Sequence, residues 1–204
     1  MDYLVWLLLV YYQIFLNHLN NKEGARLKVI LLLLLYFSLS FGFTSYQKSI
    51  IRDAYNIGKL IKAKNGMTFE NSLASIVFTE SSAGKYIVGD RFSKYLRDAS
   101  LGPFQIRVKT AKWIIKTDKF CNKHFKWLLK DEDVLITYLL TKPKFGAILA
   151  GTYLKIYYNV GLKRGYQNPW EYAISRYNGG NKNYKYIKRV RKNMKMLRRQ
   201  KICL

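Results

Sequence analysis

The sequence predicts an all-α domain lying behind a hydrophobic N-terminal region. Three observations lead there. From residue 49 onward apolar residues recur at the i, i+3, i+4, i+7 spacing of a helix face. No segment alternates with period two, and there is no internal repeat or low-complexity stretch. Ahead of this helical part lie two long uncharged runs rich in Leu. Of the 204 residues, 50% are hydrophobic and 16% aromatic, which supplies a sizeable core and excludes a disordered chain.

The first uncharged run lies between Asp2 and Lys22 and includes YLVWLLLVYYQIFL. The second extends from Val29 to Gln47, with Lys22, Arg26 and Lys28 just before it, where a positive flank of an export segment would stand. Its length suits a bilayer span or an export signal. The first run reads as a second membrane segment or as a start-site extension, and the second as a retained anchor or a cleaved signal. Buried helices of a soluble core are the plainer alternative. The expected organisation is a signal or membrane-anchor region over 1–47 and a domain over 48–204 in the cell envelope, on the periplasmic side.

Within the domain, Ile50, Ile51, Ala54, Ile57, Leu60 and Ile61 form one amphipathic stripe, followed by an Asn65-Gly66 turn. A second helix is expected over 69–82, then a loop from Gly84 to Gly102-Pro103. Ile106, Thr110, Trp113 and Ile114 begin the next helix. Val134, Leu135, Tyr138 and Leu139 mark another, with Asp131, Glu132 and Asp133 at its first turn, as the helix dipole prefers. Phe145 to Val160 reads as a helix rich in small residues. Asn168-Pro-Trp-Glu171 is a helix start, with Glu171 as capping-box partner of Asn168, and that helix should end at Gly179-Gly180. A last basic helix carries Tyr186, Ile187, Val190, Met194 and Leu197.

The chain has 36 Lys and Arg against 12 Asp and Glu, a net charge of +24, which calls for an anionic partner. Export makes wall polymers and phospholipid better candidates than nucleic acid, and no nucleic-acid partner is expected. The basic segment Lys182 to Lys201 is either such a contact or a solvated helix face. Two cysteines (Cys121, Cys203) and two histidines (His18, His124) are too few for a structural zinc site, so no metal and no cofactor is expected.

Glu80 stands out because Leu73, Ile76 and Val77 lie seven, four and three positions before it, which puts this carboxylate on an apolar helix face. In the last helical turn, with partial burial, it should favour its protonated form. That is what a general acid for glycosidic cleavage needs. A helix-edge glutamate that is solvated or paired with a lysine is the alternative.

Two later segments bear on that choice: Ser100-Leu-Gly-Pro-Phe-Gln-Ile106, which opens a helix, and Tyr177-Asn-Gly-Gly180, which closes one. Glu80-Ser81, then these two in order, resembles the soluble lytic transglycosylase family with its goose-type lysozyme fold. Gly151 followed by Tyr153 fits the same pattern, and the resemblance covers roughly residues 68–192. The chain departs from it in having Arg176 where the family usually has Ala before Tyr-Asn, in lacking the family's helix-opening asparagine, where Gly146 or Ala147 stands, and in carrying Lys85-Tyr86 after Gly84.

The resemblance implies a lysozyme-like helical domain that cleaves peptidoglycan with one catalytic carboxylate, Glu80. The product expected is a 1,6-anhydro-N-acetylmuramic acid end, and the substrate contacts expected are Ser81, Gln105, Tyr177 and Asn178; the alternatives are a local cap for Ser81, a loop anchor for Gln105 and an ordinary helix C-terminus for Tyr177 and Asn178. The glycan strand is the expected partner, together with the membrane through the N-terminal segment and a secretion, conjugation or phage apparatus. A lysozyme-type hydrolase on the same fold, and an inactive wall-binding assembly protein, are the alternatives.

Overall fold

The computed structural model describes Gln13 and residues 42–90, 93–180 and 182–201. The chain divides into two compact units, Met1–Phe43 and Thr44–Leu204. The two uncharged runs, as far as residue 41, lie outside the described residues apart from Gln13. Among the described residues no single helix is long and apolar enough to cross a membrane.

The second unit is mostly helical. Its helices are α1 (Ser45–Leu60), α2 (Glu70–Ser81), α3 (Val108–Thr117), α4 (Lys119–Phe125), α5 (Glu132–Thr141), α6 (Pro143–Lys163), α7 (Pro169–Tyr177) and α8 (Tyr184–Arg199). Short 3-10 turns occupy Leu96–Asp98 and Lys126–Lys130. Two strands that the sequence did not announce, β1 (Ser100–Leu101) and β2 (Ile106–Arg107), pair antiparallel with Ser100 opposite Arg107.

α1 begins ahead of the expected boundary at 48 because Thr44 caps it: the hydroxyl accepts from Gln47 N, and the Gln47 side chain returns a bond to Thr44 N. Its stripe buries Ile50, Ile51 and Ala54, whereas Leu60, expected on the same face, is 80% exposed at the helix end. α2 is the central helix. Ser72, Leu73, Ala74, Ser75, Ile76 and Val77 are all buried, so more than one face is covered. α1 packs along it on one side and α8 on another. Each fully buried Leu or Ile here contributes roughly 1.5–3 kcal/mol. Gly58 permits the close approach of α1: a Cβ there would stand 2.5 Å from Glu70 Cα.

α6 packs against α7 and α1, and α8 closes the unit by burying Tyr186, Ile187, Val190 and Leu197. Asn168 caps α7 by accepting from Glu171 N, but the Glu171 carboxylate does not close a capping box. It pairs with Arg191 of α8 at 2.5 Å instead.

Candidate active site

Glu80 is the penultimate residue of α2, and its position follows from how that helix ends. Ser82, Ala83 and Gly84 all have positive φ (52°, 56° and 85°), so the chain leaves the helix by a left-handed turn. Ser82 N and Ala83 N close that turn on Phe78 O and Val77 O. Gln47 of α1 holds it from outside by donating to Ser82 O at 2.9 Å. The carboxylate therefore emerges where the most buried helix reaches a cleft of about 490 Å³.

A tight turn between β1 and β2 forms the second wall. Gly102 has φ 69°, and a Cβ there would meet Leu139 O at 1.9 Å, so only glycine fits between the turn and α5. Two consecutive carbonyls of this turn are pinned from opposite sides. Pro103 O accepts from Ser81 Oγ at 2.6 Å, and Phe104 O accepts from Tyr177 Oη at 2.8 Å. Gln105, at φ 49°, donates from Nε2 to Gly102 O and Tyr86 O at 2.8 and 3.2 Å. The three sequence segments singled out above thus converge through direct hydrogen bonds.

The third wall is the end of α7. Tyr177, Asn178 and Gly179 line the cleft with Arg176 and with Tyr153 of α6. Tyr153 Oη donates to Arg176 O at 3.0 Å, which fixes the last turn of α7 on α6. Asn178 is exposed and accepts through Oδ1 from Asn183 Nδ2 at 2.8 Å. Gly89, Asp90, Ser100, Ile106, Arg107, Thr110 and Ile114 complete the lining.

Burial pushes the Glu80 carboxyl above its ordinary 4.5, and the Tyr186 hydroxyl and the Arg189 guanidinium oppose this without cancelling it. Tyr186 Oη donates to Glu80 Oε1 at 2.5 Å, which leaves Oε2 to carry a transferable proton. Burial and then the nearby Glu80 charge push both Tyr177 and Tyr186 well above the usual phenol value, so both remain donors. Asp90 sits in a different environment. It is half exposed, with Arg107 Nη2 at 3.0 Å and Ser100 Oγ at 3.1 Å from its Oδ2.

Of the expected site residues, Glu80, Gln105, Tyr177 and Asn178 line the cleft. Ser81 does not. It is 1% exposed and its hydroxyl is spent on backbone, accepting from Gly84 N at 2.7 Å while donating to Pro103 O. The sequence reading missed Tyr186, which it placed only in an apolar stripe, and took Arg176 only as a departure from a motif. Non-glycine residues with positive φ gather here, Ser82, Ala83, Asp90 and Gln105 among them, and such strain is retained where surrounding structure imposes it. Among the described residues no group of His, Cys, Asp or Glu could hold a metal ion. Comparisons of the chain with protein-family models, with curated proteins and with solved structures found no match.

Proposed function

We propose that the chain is a peptidoglycan lytic transglycosylase, held in the cell envelope by its N-terminal region. The observation that carries this reading is Glu80: a half-buried carboxyl biased toward its protonated form, held on one oxygen by Tyr186 and opening on a cleft. Glu80 Oε2 gives its proton to the glycosidic oxygen leaving C1 of N-acetylmuramic acid. The carboxylate so formed then takes the proton of the C6 hydroxyl of the same sugar as that oxygen attacks C1. The C1–O bond to the leaving sugar breaks, a C1–O6 bond forms, and Glu80 ends protonated as it began. One carboxyl therefore serves as acid and base in turn.

Gln105 and Tyr177 hold the walls at fixed separation, and Asn178 offers an amide to the acetamido groups of the strand. The order of Glu80-Ser81, the Gln105 turn and Tyr177-Asn178 along the chain, and their convergence on one cleft, support the resemblance to soluble lytic transglycosylases and their lysozyme-like fold. The test is mass spectrometry of muropeptides released from purified peptidoglycan by the detergent-solubilised chain and by Glu80→Gln. Anhydro-muropeptides from the first and none from the second are expected. No release by a folded, unmodified protein would overturn the proposal.

Asp90 favours a second reading, lysozyme-type hydrolysis, because it brings another carboxylate to the same cleft. There it can direct a water to C1, and the products would carry reducing ends in place of anhydro ends. Asp90→Asn would abolish that product and leave anhydro formation in place.

A further inference from the structure

The segment from Lys119 to Lys130 contains Lys119, Lys123, Lys126 and Lys130 and no Asp or Glu. It forms α4 and the 3-10 turn after it, and of its residues only Cys121 and Leu128 are buried. The four lysines are all exposed, and none is in an ion pair among the described residues. The acids that flank the segment are committed elsewhere. Asp118 pairs with Lys155 at 2.6 Å and caps α4, and Asp131 caps α5.

Two large apolar side chains stand out from the same segment: Phe120 is 53% exposed and Trp127 is 48% exposed. They are the outer members of one run of rings. Phe120 meets Phe125 at 6.4 Å, Phe125 meets the buried Phe145 at 5.0 Å, Phe145 meets Tyr138 at 5.7 Å, and Tyr138 meets Trp127 at 5.4 Å between centroids. Packing therefore holds both outer rings in place at the surface. Trp127 Nε1 donates to His124 O at 3.2 Å, so the indole N–H keeps a partner when the ring leaves water.

Exposed aromatic rings set among unpaired lysines fit an anionic bilayer, which offers both halves of the match. Lipid phosphates take the ammonium groups, and the boundary between head groups and acyl chains takes the rings. A hydrophilic polyanion would meet the lysines and leave Phe120 and Trp127 in water. We propose that Lys119 to Lys130 is a membrane-docking surface that lays the folded unit on an anionic phospholipid bilayer, with Phe120 and Trp127 entering the interface. This docking is independent of the reaction at Glu80.

The experiment uses the full chain reconstituted in vesicles of phosphatidylcholine, with and without added phosphatidylglycerol, each also prepared with lipid brominated near the head group. The emission missing from Trp127→Phe isolates the Trp127 indole. Brominated lipid should quench that emission in the anionic vesicles and much less in the neutral ones, and added salt should relieve it. Each single Lys→Gln change among the four should lower the docked-to-undocked ratio about fivefold, and the quadruple change should remove the preference for anionic lipid. Amide hydrogen exchange over 119–130 gives a second reading, in which Phe120→Ala/Trp127→Ala should lose the protection that anionic vesicles confer. All these side chains are exposed, so circular dichroism should show the variants folded. No quenching in anionic vesicles, equal quenching in neutral ones, or quenching that survives the quadruple change overturns the proposal. So does protection that depends on protein density in neutral vesicles, which would mark contact between copies. Protection by soluble polyglycerol phosphate with none from anionic lipid would overturn it in favour of a wall polymer.

Discussion

Ser81→Ala separates a substrate contact from a structural joint. The Ser81 hydroxyl accepts from Gly84 N at 2.7 Å and donates to Pro103 O at 2.6 Å, with Val77 O a more distant acceptor at 3.1 Å. The single hydroxyl proton therefore goes to Pro103. Removing Oγ strands one buried N–H and one buried carbonyl, at about 1–3 kcal/mol for each unsatisfied group. Some relaxation is available, so the expected loss is about 2–4 kcal/mol. For a folded unit of this size each kcal/mol lowers Tm by roughly 2–4 °C, so the drop should be about 5–15 °C. Circular dichroism melts of the detergent-solubilised chain measure it, and muropeptide release at a temperature where both proteins are folded measures the cleft. A substrate contact would instead raise KM and leave Tm in place. A Tm within about 1 °C of wild type, together with weakened substrate binding, would refute the joint that the hydrogen bonds describe.

Other expectations follow from the same geometry. Glu80→Gln should be more stable than wild type at neutral pH. The folded carboxyl keeps its proton above the ordinary value of 4.5, so wild-type stability from this group falls as pH rises from there through the folded value, and glutamine removes the fall. Melts across pH 4 to 8 read this, and parallel curves for the two proteins would contradict it. Tyr186→Phe deletes the bond that lowers the Glu80 value, so burial acts less opposed and the alkaline limb of the pH–rate profile should move to higher pH. A downward move would reverse the assignment. Gly102→Ala meets both a positive φ and Leu139 O, and should cost about 2–4 kcal/mol, read as a lower Tm and a lost cleft. Cys121 is fully buried beside Thr152, and burial pushes its thiol up to about 11. In a Cys203→Ser background the native protein should resist maleimide at pH 7.5 and take up one label after denaturation.

How much of this was legible in the sequence depended on which interactions are local. α1, α2, α5, α6, α7 and α8 were readable because their apolar spacing is regular and several starts carry a capping residue, such as Asp131, which accepts from Asp133 N and Val134 N. The hairpin around Gly102 was not, since two-residue strands are too short for a period to show. α4 and the 3-10 turn after it were not, because CNKHFKWLLK buries only Cys121 and Leu128 and has no face to read.

Glu80, Gln105, Tyr177 and Asn178, singled out from residue type, order and resemblance, line one cleft. Ser81, expected as a substrate contact or a local cap, does cap Gly84 N but also ties down Pro103 O, and Glu171 pairs with Arg191; Pro103 and Arg191 lie at least 20 residues away and leave no local signal. Tyr186 left a usable signal. A tyrosine among Ile187, Val190 and Leu197 on a buried stripe needs a partner for its hydroxyl, and Glu80 was the acid already placed on an apolar face.

The two carboxylates of the cleft argue for which of them can be the acid. Asp90 sits in an ion pair with Arg107 whose members are 43% and 61% exposed. Glu80 is placed at the carbonyl end of the central helix, with apolar core behind it, and the one hydroxyl aimed at it does not offset its burial. Under the proposed reaction the buried carboxyl is the proton donor, and the exposed one is left in its ion pair with Arg107. The assignment of Glu80 therefore does not depend on whether the sugar's own hydroxyl or a water attacks C1. In either proposed reaction the leaving oxygen needs a proton, which Glu80 is proposed to supply. The burial that raises the Glu80 value, and so costs the fold stability as pH rises, is the same burial that favours the protonated acid the proposed reaction needs.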